Sequence, residues 1–273
     1  MIGYGNSMFL ATHGILARTA SGGGVDPDAQ AFITAAAITD PTQQAAINTL
    51  VVDLKGYSIW NKMKAIYPIV GGTAATHKWN LKDPRDLDAA FRLVFSGGVT
   101  HSINGVQFGG VNGYANTFLN SSVNLTNSNN HFSVYSRTSS VVATTVEMGC
   151  ANTGAVNFNH LRVAVNYLAG HITSTNFTST TNAQGFWLGN KVANNDRRVY
   201  KNSTKEATNT TVDSTTLPNF NVFIGARNDN GTAAVYSDKQ CAFASIGDGL
   251  TDTEAANFYT AVQTFQTALN RNV

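Results

Sequence analysis

From Ala65 onward the apolar positions recur with a period of two, the spacing of a half-buried β-strand. The runs "AFRLVFSGG" (89–97), "HFSVYSR" (131–137), "LRVAVNYL" (161–168), "GFWLGN" (185–190), "RRVYKN" (197–202), "NVFIGAR" (221–227) and "CAFASIG" (241–247) each predict a strand. Turns rich in Asn, Gly, Ser and Thr, such as "TNSNN" and "NDNGT", separate them. Many strands joined by regular polar turns predict an antiparallel sandwich, because a parallel sheet would need crossover helices between them. In the last run, Cys241, Phe243 and Ser245 are expected on one face, with Ala242, Ala244 and Ile246 on the other.

Helical spacing appears at both ends. Asp26 is a good N-cap with Pro27 at the first helical position, and Asp40–Pro41 repeats the signal. In the second helix Ile47, Leu50, Val51 and Leu54 form one apolar stripe, and Gly56 is the expected stop. A short third helix is predicted over 58–65, closed by Pro68. Such short amphipathic helices cannot close a core alone, so they are expected to cap something larger. Near the C-terminus Thr251 and Glu254 have capping-box spacing. Phe258, Val262, Phe265 and Leu269 then align on one helical face. The final helix should fold back onto the sandwich as a clasp.

Residues 1–25 read differently: apolar pieces lie among glycines, ending in "SGGG". This arm reads either as a tail or as a docking segment whose anchors would be Phe9, Leu10, Ile15 and Leu16. The expected layout is therefore an arm (1–25), a helical cap (26–70) and a β-sandwich with its C-terminal helix (71–273).

Composition narrows the function classes. Charged residues make up only 12% of the 273, but 42% hydrophobic residues supply a core, which separates the chain from disordered polar sequences. The net charge of +2 comes from scattered basic residues, with Arg197–Arg198 the one adjacent pair, so no nucleic-acid footprint is expected. No apolar run approaches the roughly 20 residues that span a bilayer, and no membrane insertion is expected. The N-terminus has no basic leader before an apolar stretch, which argues against a Sec signal. Cys150 and Cys241 are far apart and are expected to be small buried residues, although one disulfide is not excluded.

The ending "NVFIGAR … DGLTDTEA" resembles that of laminin-G-like domains of the concanavalin A-like lectin/glucanase group, at Leu250, Thr251 and Glu254. The segment 39–98, "TDPTQQAAINTLVVDLKGYSIWNKMKAIYPIVGG…LVFSGG", is similar to one found in structural proteins of tailed bacteriophages, where it precedes a lectin-like sandwich. The resemblance implies a mainly β, antiparallel jelly-roll sandwich carried by a virion component: a fibre, tail or head-decoration protein. Its partners would be other virion proteins, and fibres of this kind resemble homotrimers. The alternative is a lectin module for host-surface glycan.

Candidate chemistry is sparse. Carbohydrate hydrolysis on such sandwiches needs paired carboxylates, and no predicted strand carries them at i and i+2. A catalytic site is therefore not expected. None of the six histidines shares a metal-ligand spacing with another, and no cofactor is implied. Asp229 in "ARNDNGT" is a weak calcium candidate, but Asn-Gly at a hairpin tip is first of all turn chemistry. For glycan binding the candidates are the aromatic Trp187 and Tyr236, with Arg227 beside them.

Overall fold

The computed structural model describes residues 24–142, 144–152, 157–163, 166–171, 178–213 and 216–273, with backbone pairing only at 166–171 and 178–179. The proposed anchors Phe9, Leu10, Ile15 and Leu16 lie outside the described residues.

Two helices open the described chain. In α1 (Pro27–Ala35) Asp26 caps the amide of Asp28, and in α2 (Pro41–Gly56) Asp40 caps that of Gln43. Each proline occupies the first turn, where its missing N–H costs nothing. The left-handed residue after α2 is Ser58 (φ 61°), two positions beyond the glycine expected to supply the stop. The helix predicted over 58–65 is not formed. A 3-10 turn at Trp60–Lys62 leads directly into strand β1 (Met63–Tyr67). The reason is packing on both sides: Ile66 points to the helices while Ala65 and Tyr67 point between the sheets, a period of two that helical reading of this short run misses.

Among the described residues the strands form two sheets. The first runs β13 (Thr204–Asn209), β12 (Asp196–Lys201), β11 (Gly185–Ala193), β6 (Asn130–Ser136), β17 (Gln240–Gly247), β4 (Gly105–Phe108), β3 (Val99–Ser102), with β1 also paired to β17. The second runs β10 (Thr178–Ser179), β9 (Asn166–His171), β8 (Phe158–Arg162), β7 (Met148–Ala151), β14 (Asn221–Ile224), β5 (Tyr114–Asn120), β2 (Val94–Ser96). There β15 (Arg227–Asp229) pairs with β7 and with β16 (Thr232–Ala234). Every pairing is antiparallel except β15 with β7. Helices α3 (Ala74–His77) and α4 (Ser121–Asn124) are single turns in the connections.

Three expectations shift in detail. The run 161–168 is not one strand: β8 and β9 form a hairpin across it, pairing Leu161 with Ala169 and Arg162 with Leu168. The run 89–97 holds a 3-10 turn at Asp88–Ala90 and only the short β2. In β17 a register shift between Cys241 and Phe243 turns Cys241 toward the inter-sheet core with Ala244 and Ile246, while Ala242 and Phe243 face the helices. A bulge of this kind adds one residue and so reverses the alternation on one side of it. Cys150 and Cys241 are both free and buried.

The molecule has three layers. Between the sheets lie Trp187, Phe132, Val134, Met148, Leu161 and Ile224. On the other face of the first sheet, Tyr135, Phe186, Leu188 and Phe243 pack against α1, α2 and α5 (Asp252–Ala268). The capping box of Thr251 and Glu254 starts α5, and Phe258, Val262 and Phe265 are buried as its spacing predicts. Phe258 meets Phe186 and Phe243 edge-on, with centroids 5.2 and 6.0 Å apart, contacts worth about 0.5–1.5 kcal/mol each beyond their area.

Beyond α5 the chain is locked by Arg271, which is buried and makes no ion pair among the described residues. It donates to the carbonyls of Ile69 (2.6 Å), Pro68 (3.1 Å) and Ala242 (3.0 Å) and to Gln266 Oε1 (3.0 Å). Burial pushes its guanidinium down to about 9. One side chain thus ties the exit of β1, the middle of β17 and the last turn of α5.

Arg271→Ala would orphan these acceptors. A loss of about 3 kcal/mol is expected in urea denaturation, with the spectrum of the folded protein retained in the absence of urea. A second prediction concerns acid. Burial lowers His77 and His160 to about 3 and His131 to about 4, from an ordinary 6.5. The folded rings resist protons that the unfolded chain accepts. Their contribution is therefore full above about pH 6.5 and is lost as pH falls toward 4 and 3, by about 1.4 kcal/mol per pH unit per ring. The urea midpoint should fall steeply between pH 6.5 and 4, and a flat profile there would contradict the neutral rings.

Candidate functional site

The helix layer decides where a site can be. It covers the outer face of the first sheet, and among the described residues the outer face of the second carries no helix of that layer. Strand alternation then selects the residues on that open face. In β5 the residues Ala115, Thr117 and Leu119 are buried, so Tyr114 and Asn116 point outward, half-buried. In β14 Val222 and Ile224 are core, so Phe223 points outward; in β8 Leu161 is core, so Phe158, His160 and Arg162 share the open side.

Gly149 sits at the centre of this face. It is the register partner of Phe223 on β14, of His160 on β8 and of Arg227 on β15. A Cβ there would lie 2.3 Å from the Cβ of His160 and 2.6 Å from the carbonyl of Asn159, so only glycine lets β8 approach. Around that bare backbone two ring pairs stack: Tyr114 on Phe223 (4.7 Å, 24°) and Phe158 on His160 (4.4 Å, 7°). Arg227 grips Asp229 through Nε and Nη2, the latter contact measuring 2.8 Å. The turn after it, Asn230–Gly231, has both residues at positive φ, as a two-residue hairpin requires.

Two groups on this face lack partners. His160 is 2% exposed, yet neither ring nitrogen has a hydrogen-bond partner among the described residues. Burial, then the charges of Arg227 and Arg162, holds its ring neutral, so one N–H and one lone pair stand unused. The Nε of Arg162 is likewise buried without an acceptor. Burial also lowers Arg162 below its ordinary value. Each such unsatisfied polar group costs about 1–3 kcal/mol, which a ligand group could recover. The face thus offers a half-exposed phenol ring on a stacked base, amide and guanidinium hydrogen-bonding groups, and two unsatisfied polar side chains.

The residues expected from the sequence fare unequally. Trp187 is fully buried between the sheets, its indole N–H donating to the Ala183 carbonyl at 2.9 Å. It is a core residue and offers no platform. The alternation of β11 sends Phe186 and Leu188 to the helices and Trp187 to the inter-sheet core, so no face of that strand reaches solvent. Tyr236 is half-buried with its hydroxyl on the Ala233 carbonyl (2.8 Å). Arg227 does belong to the open face. Asp229 is beside it, but Arg227 occupies its carboxylate, and no group of three His, Cys, Asp or Glu gathers among the described residues. Tyr114, Phe223, Phe158, His160 and Gly149 were missed. The strict alternation of "YANTFLN" was a legible signal for Tyr114, whereas the role of Gly149 depends on register.

Four concavities lie elsewhere among the described residues. Two are polar, one of about 440 Å³ lined by Asp28, Lys55, Ser58, Trp60 and Asn61 and one of about 280 Å³ that includes Asp40, Gln43, Asn270 and Arg271. Two are less suited to a polar ligand. A groove of about 470 Å³ between α2 and α5, lined by Ala45, Thr49, Phe265 and Ala268 among others, contains no ionisable side chain. A void beside Glu147 and Lys239 measures only about 10 Å³.

No family model matches the chain, and no curated protein matches it. Solved structures do. A mutant of Trypanosoma rangeli sialidase displaying trans-sialidase activity aligns with TM-score 0.52 and 12% identity, over 81% of this chain and 39% of that one. Domain 4 of AbnA, a GH43 extracellular arabinanase from Geobacillus stearothermophilus, solved with arabinotriose, aligns with TM-score 0.48 and 12% identity over 72% and 98%. The Ruminococcus gnavus IT-sialidase CBM40 aligns with TM-score 0.39 and 14% identity over 48% and 82%. The chain spans about two fifths of the length of that trypanosomal sialidase. At this identity the likeness shows the fold: a mainly β, two-sheet sandwich with N-terminal helices and a C-terminal helix.

Gly149→Ala should drive β8 off β7. A loss of about 2–3 kcal/mol is expected in chemical denaturation, accompanied by loss of the His160 ring-current shift from Phe158 in NMR spectra. Unchanged stability would mean that β8 is not held where described.

Proposed function

We propose that this protein is a glycan-binding sandwich module that uses the open face of its second sheet. The observation that carries the reading is the open face itself, where Tyr114 stacked on Phe223 adjoins Arg227, Asp229 and unsatisfied polar groups around Gly149. Sugars present apolar C–H faces and rings of hydroxyls, so they are bound by an aromatic surface with directional polar neighbours. The fold likeness to a sialidase is compatible with this reading and supports it at the level of architecture alone.

The role proposed is binding without bond cleavage. Glu147 is buried and paired with Lys239 at 3.0 Å, beside a void with room for no more than a water. Asp229 is held by Arg227. Neither carboxylate is placed as one of an opposed acid and nucleophile.

The setting of the module is a further part of the proposal. Display on a tailed-phage particle and assembly as a homotrimer rest on the sequence resemblance of residues 39–98, and docking onto other virion proteins through Phe9, Leu10, Ile15 and Leu16 rests on the apolar residues of the arm alone. The comparisons with solved structures add nothing to them.

A glycan array probed with the full chain tests the function. Binding to a defined set of glycans is expected, and Tyr114→Ala should weaken the best of them about ten-fold by removing a ring contact worth roughly 1–2 kcal/mol. Thr49→Lys, exposed on the helix layer, should leave binding unchanged. A blank array, or release of reducing sugar from host polysaccharide, would each overturn the corresponding half of the reading.

A further inference from the structure

We infer that the glycan taken by this face carries an anionic sugar, whose carboxylate is held by Arg162 with the His160 ring beside it. This inference rests on the glycan reading above and names the ligand class for it.

The argument starts from charge balance. His160 and Arg162 stand at i and i+2 on β8, so both side chains share the open face. Arg162 makes no ion pair within 4 Å among the described residues, although a buried or half-buried guanidinium ordinarily finds a carboxylate. The two carboxylates nearest in the fold are already engaged. Asp229 takes Arg227 through both oxygens. Glu147, on the core side, takes Lys239 and the backbone N–H of Val163. Glu147 favours the Arg162 charge through space but makes no ion pair with it, and the Arg162 Nε–H meets no acceptor among the described residues.

His160 reports the same imbalance independently. Its ring is buried, stacked on Phe158, and has both nitrogens unpartnered. The charged groups that act on it are Arg227 and Arg162, both positive. The field at this spot favours an incoming acceptor with negative charge. A carboxylate supplies two oxygens, matching the guanidinium fork and leaving a contact for the imidazole N–H. A neutral sugar would bring hydroxyls that satisfy hydrogen bonds but leave the charge unmatched. Sialic and uronic acids both carry the required group, and the experiment separates them.

Calorimetry on the full chain would use four probes: 3′-sialyllactose and lactose, and trigalacturonic acid and its carboxyl-reduced counterpart. At least one acidic probe should bind ten-fold or more tightly than its neutral partner at 50 mM salt, with the gap narrowing at 0.5 M. Arg162→Gln should abolish the discrimination while keeping the affinity for the neutral partner. A readout without any variant guards against a folding defect. In NMR spectra of the wild-type chain the His160 ring signals should move with the acidic probe, and the ring should titrate at higher pH when that probe is bound. Neutral probes should leave its titration in place. Equal binding of acidic and neutral probes, still lost in Tyr114→Ala, would overturn the anionic specificity and leave the glycan reading standing. Failure of these probes together with a blank array would remove both.

Discussion

The first sheet is buried on both sides, and the rest of the architecture follows from that. Strands β6 and β11 are buried along nearly their whole length, so their side chains alternate between two cores and never meet solvent. One core is formed with the second sheet, the other with α1, α2 and α5. A two-layer sandwich would leave both outer faces available. Here the helices remove one. The clasp that fixes them is the buried Arg271, whose cation is solvated by carbonyl oxygens from β17, from the segment after β1 and from α5.

That constraint assigns the open face of the second sheet its role. The same alternation that buries Leu161, Val222 and Ala115 between the sheets sends His160, Phe223 and Tyr114 outward. Polar side chains buried on such a face would normally be satisfied by the protein. Among the described residues the His160 ring nitrogens and the Arg162 Nε are not, and the glycine at the centre of the face admits the close strand approach that brings them there. Stability has been conceded at a place where a ligand can restore it, which is how functional sites commonly depart from the rules that the remaining structure obeys.

Much of this was legible in the sequence, and the reasons are local. Asp26–Pro27, Asp40–Pro41 and the Thr251/Glu254 box act within a turn, and each helix begins where they say. The strands with clean alternation, such as 185–190 and 197–202, also appear in place. What failed depended on partners distant in sequence. The bulge in β17 turned Cys241 inward because β6 pairs unevenly with it. Residues 63–67 became a strand because β17 offered an edge. Trp187 read as a platform because an aromatic residue in a strand has no sign telling whether its face is covered. The second sheet answers that, since Trp187 packs with Met148, Leu161 and Ile224, whose positions the local pattern around 185–190 does not fix.

Hydrogen–deuterium exchange of the full chain, with and without the tightest glycan from the array, tests the central claim most directly. The account predicts that added protection falls on β5, β7, β8 and β14 and that α1, α2 and α5 exchange as before. Protection centred on the groove between α2 and α5, with the second sheet unchanged, would contradict it.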